Sequence, residues 1–421
     1  FHAVLDGKPL GAGFSFGPYG RYRWMDSTHG APEIAIWTVD AIANGIRPSI
    51  GKTGARIYDT RWIPVVERLF QWHRRHERYL RNTASLARIG MIYSQDTFAF
   101  AAEHYEDHQA GMYQALLEAR QPFDMVHANR LGPEHVSRYK LLVLPNIAVL
   151  TDDQCRQLRE FVAAGGSLLA TYETSLRDAE GRPREDFGLR DLFGATRTGP
   201  SQGPTRNSFV NLHRGDPAAP VLLRGFDGAS VIVNPVRQVP TAPTVPLEYR
   251  PLTLMPGYPS LPMEELYPRV HDTGEPLAYL RRHGRGRVVY LPGDVERSLW
   301  ELLLEDHARL LANAVAWALD EAPPVVAEGP GFIDLTYWRQ ASSLAVHVVN
   351  LSNPMTMRGH YRELHRLPEQ RLSIRLPDDV GTVKRVRLLV AERDVPADLR
   401  DGRLHVTLPG VDDHEVVGID L

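Results

Sequence analysis

The sequence predicts an α/β chain in three parts: the closing segment of a larger barrel, a parallel-sheet α/β domain, and a small antiparallel β-sandwich. Three observations carry this. In the middle of the chain, short and wholly apolar runs such as Lys140–Pro145 alternate with amphipathic helices, the pattern of a parallel sheet covered on both faces. After Val325 only short alternating runs separated by turn residues remain, which points to antiparallel strands. Before residue 85 there are two helices and little strand, too few elements to close a core alone.

Within residues 1–84, Glu33–Asn44 (EIAIWTVDAIAN) followed by Gly45 forms a helix with a glycine stop. Ile63–Leu80 repeats apolar residues at helical spacing. Residues 85–322 form the α/β domain. Ala87–Tyr93, Phe123–His127, Lys140–Pro145 and Ser167–Tyr172 are its strands, and Tyr105–Arg120 is an amphipathic helix. Thr151 caps a further helix, with Gln154 at the capping-box position and Gly165-Gly166 after its end. From about 175 to 275 the rhythm lapses into a Pro-, Gly- and Thr-rich insertion. It returns at Leu277–Arg281, Arg287–Pro292 and the helix His307–Leu319, and Pro323-Pro324 marks the next boundary. Residues 323–421 supply the β-sandwich, with strands at Ile333–Tyr337, Ser343–Asn350, Arg371–Leu376, Val383–Val390, Leu404–Leu408 and Glu415–Ile419.

With 421 residues, 43% hydrophobic and 24% charged, the composition is that of an ordinary globular chain of two or three domains. The net charge of −3 is spread without stripes, so there is no electrostatic footprint for nucleic acid or for an anionic membrane. The densest basic run, Arg281–Arg287, lies between two strand-like runs and is expected to be a hairpin turn. One cysteine, Cys155, forbids an intrachain disulfide and gives no sign of an oxidising compartment. No apolar stretch reaches the roughly 20 residues of a membrane span. A cytoplasmic location is expected. The first residue is Phe1, not Met, and Phe1–Leu5 has the character of an internal segment, so sequence upstream is expected too.

Most motif-like features fail on spacing. Gly51-Lys52-Thr53 lacks the glycine a phosphate loop needs at position 46, which is Ile46. Gly11-Ala12-Gly13 has Phe16 where a dinucleotide fingerprint needs its third glycine. His104 and His108 stand one helical turn apart, but the glutamate a zinc peptidase needs directly after the first His is absent. A solvated helix face is expected there, and again for His73, His76 and Glu77. No metal and no cofactor are expected. Asn350-Leu351-Ser352 has the glycosylation spacing but is taken as a strand end.

One cluster invites a sugar-site reading. Arg23, Trp24, Asp26 and His29 combine an aromatic face with hydrogen-bonding groups, as stacking on a sugar ring and pairing with its hydroxyls require. A packed tryptophan beside a salt-bridged aspartate fits the same residues. Trp24, Arg23 and His29 are the candidate substrate contacts. Lys52, Asp59, Arg61 and Trp62 form a second, weaker cluster.

The α/β part resembles class I glutamine amidotransferases and flavodoxin-like domains. An active amidotransferase places a nucleophilic Cys on the turn after a central strand, but here Pro145-Asn146-Ile147-Ala148 follow Leu141–Leu144. Cys155 falls in the next helix, where a structural thiol is expected. The whole layout resembles family 42 glycoside hydrolases, the β-galactosidases with a trimerisation domain, and still more the hypothetical glycosyl-hydrolase-like proteins that share it. Ala41–Pro48 (AIANGIRP) is similar to the final helix and strand of their TIM barrel. Tyr139–Asn146, Phe161–Leu168, Gly284–Pro292 and Asn313–Trp317 are similar to their trimerisation domain, and His347–Asn350 and His414–Val417 to their terminal β-domain.

This resemblance implies retaining hydrolysis of a galactoside or similar sugar by two carboxylates, an acid/base and a nucleophile, roughly 5 Å apart. It places both upstream of Phe1, with Asp26 and Glu33 as the only nearby exceptions to test. It implies a homo-oligomer, trimer or dimer, acting on carbohydrate. Two other readings stay open: a non-catalytic carbohydrate-binding or assembly protein, and a hydrolase or transferase centred on the α/β domain, for which Cys155 or Ser175 would have to serve.

Overall fold

The computed structural model describes residues 10–15, 27–51, 57–101, 103–352 and 361–421. It is a mixed α/β structure with parallel and antiparallel sheets, and it divides into two compact units. One comprises the described residues up to Ala87, Arg120–Pro122 and Pro323–Leu421; the other comprises Arg88–Ala119 and Phe123–Ala322.

The second unit is built on a six-stranded sheet. Its strands run in the order Tyr279–His283, Gly286–Leu291, Ser167–Thr171, Leu141–Leu144, Ile89–Tyr93, Phe123–His127. All neighbours are parallel except the first two, which form an antiparallel hairpin through Gly284. The basic run Arg281–Arg287 is that hairpin. Side chains alternate between the faces of the sheet. Met91, Leu141, Val143, Leu169 and Val289 join Met112, Leu116, Leu311 and Val315 of the helices Tyr105–Glu118 and Glu305–Leu319. Ile92, Leu142, Leu144, Leu168 and Val288 join Leu158, Phe161 and Val162 of the helix Asp152–Ala163 on the other face. Two buried faces explain why these strands are apolar throughout. Thr151 and Gln154 close a reciprocal capping box at the start of that last helix. The insertion contributes short antiparallel strands, among them Val231–Val233, Phe209–Leu212 and Leu252–Met255 in that order.

In the first unit two antiparallel sheets enclose one core. The four-stranded sheet gives Val325, Leu372, Ile374, Leu404 and Val406. The six-stranded sheet gives Leu335, Tyr337, Val346, Val348, Val386 and Val417. Alternate residues of the larger sheet face the other way and meet two helices. Ala345 and Val416 pack with Ile42, Trp72 and Tyr79, and Val349 with Ala35, Ile36, Val39 and Leu69. These helices, Ala31–Ala43 and Ile63–Leu80, therefore bury the outer face of the strands Ser343–Asn350 and His414–Asp420. Asn350 ends its strand by donating its amide to the carbonyls of His365 and Asp412. Leu10–Ser15 and Ile46–Gly51 pair in parallel on either side of the first helix in sequence.

The two histidine motifs depart from the solvated faces expected of them. His104 is exposed and paired with Asp107, but His108 is buried against Glu296. His76 is buried and His73 partly so, because the helix Ile63–Leu80 lays one face on the sheet, whereas Glu77 is exposed as expected. Polar residues on a helix predict exposure only when no other element covers them.

Candidate functional site

The first helix carries a row of polar and aromatic groups along one side. Glu33, Trp37, Asp40 and Asn44 follow one another at spacings of four, three and four, which keeps them on a single face. The helix starts after Gly30, whose backbone is extended, with Pro32 in the first turn, where a missing N–H costs nothing. Glu33 in that turn is favoured by the positive end of the helix dipole.

His29 and Glu33 are brought together. The imidazole Nδ1 lies 3.1 Å from the Glu33 carboxylate, and the same ring meets Trp37 edge-on with centroids 4.8 Å apart. Glu33 is 5% exposed. Of the other candidates, Arg23, Trp24 and Asp26 lie outside the described residues, as does Lys52. In the second cluster Arg61 forms a two-pronged ion pair with Asp59, and the Trp62 indole N–H donates to the Asp59 carbonyl at 2.9 Å. That arrangement is a turn leading into the second helix, and Arg61 stays exposed.

Further along the helix stands a pair that sequence reasoning missed. Asp40 and Asp334 of the strand Ile333–Arg339 are both held above the ordinary carboxylate range. Loss of solvent is the larger cause for each, and for Asp40 the charge and hydrogen bond of Asp334 add to it. Asn44 donates its amide to Asp334 at 3.1 Å and also reaches Asp40. The pair therefore retains a proton where isolated carboxylates would release theirs. Outward residues of the same strand finish the joint. Thr336 and Trp338 both donate to the carbonyl of Ala43, one of the acceptors a helix end leaves unpaired. A carboxyl pair can exchange a proton, and this one also bolts the helix to the strand. The signals in the sequence were single aspartates inside apolar runs, EIAIWTVDAIA and IDLTYW.

The other unit has its own buried polar cluster at the ends of the sheet strands. Thr171 donates to Glu296 at 2.5 Å, and His108 Nδ1 lies 2.8 Å from the same carboxylate oxygen. Asn146 follows the central strand in the left-handed region (φ 47°) and donates its backbone N–H to Thr171. Neither proposed nucleophile is set up for attack. Cys155 is buried, and burial pushes its thiol up to about 11, away from the reactive thiolate. Ser175 is fully buried, and its hydroxyl accepts the N–H of Leu189.

Among the described residues no group of three or more potential ligands is placed to hold a metal ion. None of the described helices is long and apolar enough to cross a membrane.

Residues 83–197 match the family model of the beta-galactosidase trimerisation domain. The fold is similar to that of alpha-L-fucosidase isoenzyme 2 from Paenibacillus thiaminolyticus, with TM-score 0.75 at 19% identity over 97% of this chain and 60% of that one. A beta-galactosidase from Bacillus circulans sp. alkalophilus gives 0.68 at 13%, over 100% and 56% of the two chains. A GH42 beta-galactosidase from G. stearothermophilus gives 0.66 at 15%, over 100% and 55%. The chain thus spans little more than half the length of the enzymes it matches, and at these identities the likeness is one of fold. The family this chain resembles is that of the GH42 β-galactosidases, through the trimerisation-domain match at 83–197 and a fold shared along its length.

Proposed function

We propose that this chain is the C-terminal portion of a retaining glycoside hydrolase acting on a galactoside or a related sugar, with its two catalytic carboxylates on barrel residues outside this sequence. The observation that carries the reading is that nearly the whole chain superposes on little more than half of several glycosidases. Residues 1–84 are then the end of the (β/α)8 barrel, 85–322 an amidotransferase-like assembly domain with its insertion at about 175–275, and 323–421 the β-sandwich. Residues 85–322 would hold a homo-oligomer together, trimer or dimer, in the cytoplasm. The name of the family matched at 83–197 supports that part of the reading. Within this chain Asp26 and Glu33 are the carboxylates to test as catalytic exceptions, and Trp24, Arg23 and His29 are the proposed sugar contacts. The Glu33–His29 pairing favours a positioning role over a free acid.

The test is hydrolysis of a panel of nitrophenyl glycosides, with β-galactosides and α-L-fucosides included, by this chain and by the protein extended upstream. Activity confined to the extended protein is the expected result. Activity of the short chain overturns the placement of the carboxylates, and silence of both favours a carbohydrate-binding or assembly protein.

A further inference from the structure

The insertion of the α/β unit forms an open pocket of about 750 Å³. Four segments converge on it: residues 212–216 at and after the end of the strand Phe209–Leu212, residues 228–230 before Val231–Val233, Arg250 with Thr253, and Asp272 with Gly274. The lining combines apolar surface with charged and polar side chains, and the hydrogen-bond valences of those side chains are unevenly spent. Both oxygens of Asp216 accept backbone N–H groups, one from Ala218 and one from Arg250. Asp272 accepts the N–H of Gly274 and lies 3.6 Å from His213, whose Nε2 is 2.6 Å from the Thr253 hydroxyl. Burial works against the Asp272 charge, but Gly274, Thr253, His213 and Arg250 together hold its carboxyl below the ordinary range. The two carboxylates of the pocket are thus engaged by groups of the protein.

The donors are less fully spent. The guanidinium of Arg250 is exposed, and although its charge helps to hold the Asp272 carboxyl low it makes no hydrogen bond with any described residue. Arg214 uses one terminal nitrogen on the carbonyls of Phe226 and Ala229, which leaves its other N–H groups over. A Cβ placed on Gly215, Gly228 or Gly274 would meet nothing within 4 Å, so the space beside these donors is open. A concave site with spare donors and satisfied acceptors selects a ligand rich in acceptors. A planar guanidinium also matches the two oxygens of a carboxylate or sulfate.

We infer that this pocket binds an oxyanion-bearing small molecule, a carboxylate or sulfate group, with Arg250 as its anchor and Arg214 as its second donor. The inference is independent of where the glycosidase carboxylates lie. Calorimetric titration of the 421-residue chain with glucuronate, inorganic sulfate and methyl galactoside, at constant ionic strength, tests it. Binding of glucuronate, or of sulfate, is expected, with no heat from the neutral galactoside. Tighter glucuronate identifies a sugar acid, and equal or tighter sulfate identifies the free oxyanion. Arg250→Gln should weaken binding at least tenfold and Arg250→Lys less, with the melting temperature unchanged because Arg250 is exposed. Three results would overturn the proposal: no binding of either anion, binding indifferent to Arg250→Gln, or binding only at tens of millimolar that added salt abolishes, which means an adventitious ion only.

Discussion

His108 and Glu296, 188 positions apart, meet at 2.8 Å in the interior of the α/β unit with both side chains sealed from water. Glu296 spends one oxygen on His108 and Thr171 together, and its other oxygen has no partner among the described residues. Such a group depends heavily on the contacts it keeps. His108→Ala should therefore cost about 3–5 kcal/mol, the range for removing one member of a buried pair. Denaturant titration of the two proteins measures it, and a loss below about 1 kcal/mol would mean that Glu296 finds another partner.

The same two elements touch at Gly111, one turn beyond His108. A Cβ there would fall 1.8 Å from the carbonyl oxygen of Glu296, which is backbone and cannot swing aside. Gly111→Ala should force the helices Tyr105–Glu118 and Val295–Leu302 apart and destabilise the protein by about 3 kcal/mol or more, despite the higher helix propensity of alanine. An unchanged melting temperature would contradict this packing.

Asp40 and Asp334 give stability a pH dependence of known sign. The folded state keeps a proton that the unfolded chain gives up near pH 4. The pair's contribution is complete below about pH 4 and is lost as pH rises through the raised folded value. Asp40→Asn keeps hydrogen-bonding capacity without the charge. It should raise the melting temperature relative to the parent more at pH 7 than at pH 4. Equal shifts at both values would show that the proton is not shared.

His347 acts in the opposite direction. Burial, with the charges of His414 and His73, lowers its imidazole to about 3. The unfolded chain takes up a proton near pH 6.5 that the folded state refuses, so stability falls as pH drops below that point. Between pH 6.5 and pH 4.5 the loss is about 2–3 kcal/mol. His347→Gln should be less stable than the parent at neutral pH, but its melting temperature should decline less on acidification. A parallel decline would assign the acid sensitivity elsewhere.

The sheet of the α/β unit was legible because its strands are apolar on both faces, and Leu141–Leu144 permits little else. The helix Asp152–Ala163 announced itself by the Thr151–Gln154 box. The strand Ser343–Asn350 was found, but not that all eight of its residues are buried. Its outer face is covered by helices some 300 positions earlier, and local periodicity holds no record of such a partner. For the same reason His108 was expected on a solvated face, and nothing in the sequence marked Asp40 and Asp334 as partners. Of the candidate sugar contacts only the His29–Glu33 pairing is described. A spacing of four at a helix start made that contact geometrically available from the sequence alone.

A covalent label reports where the catalytic carboxylates lie. A retaining enzyme forms a glycosyl-enzyme bond on its nucleophile. A fluorinated galactoside that traps this intermediate can be reacted with the extended protein and the labelled peptide mapped by mass spectrometry. The expected result is a labelled Asp or Glu upstream of Phe1. Label on Asp26, Glu33 or any other residue of these 421 would contradict it.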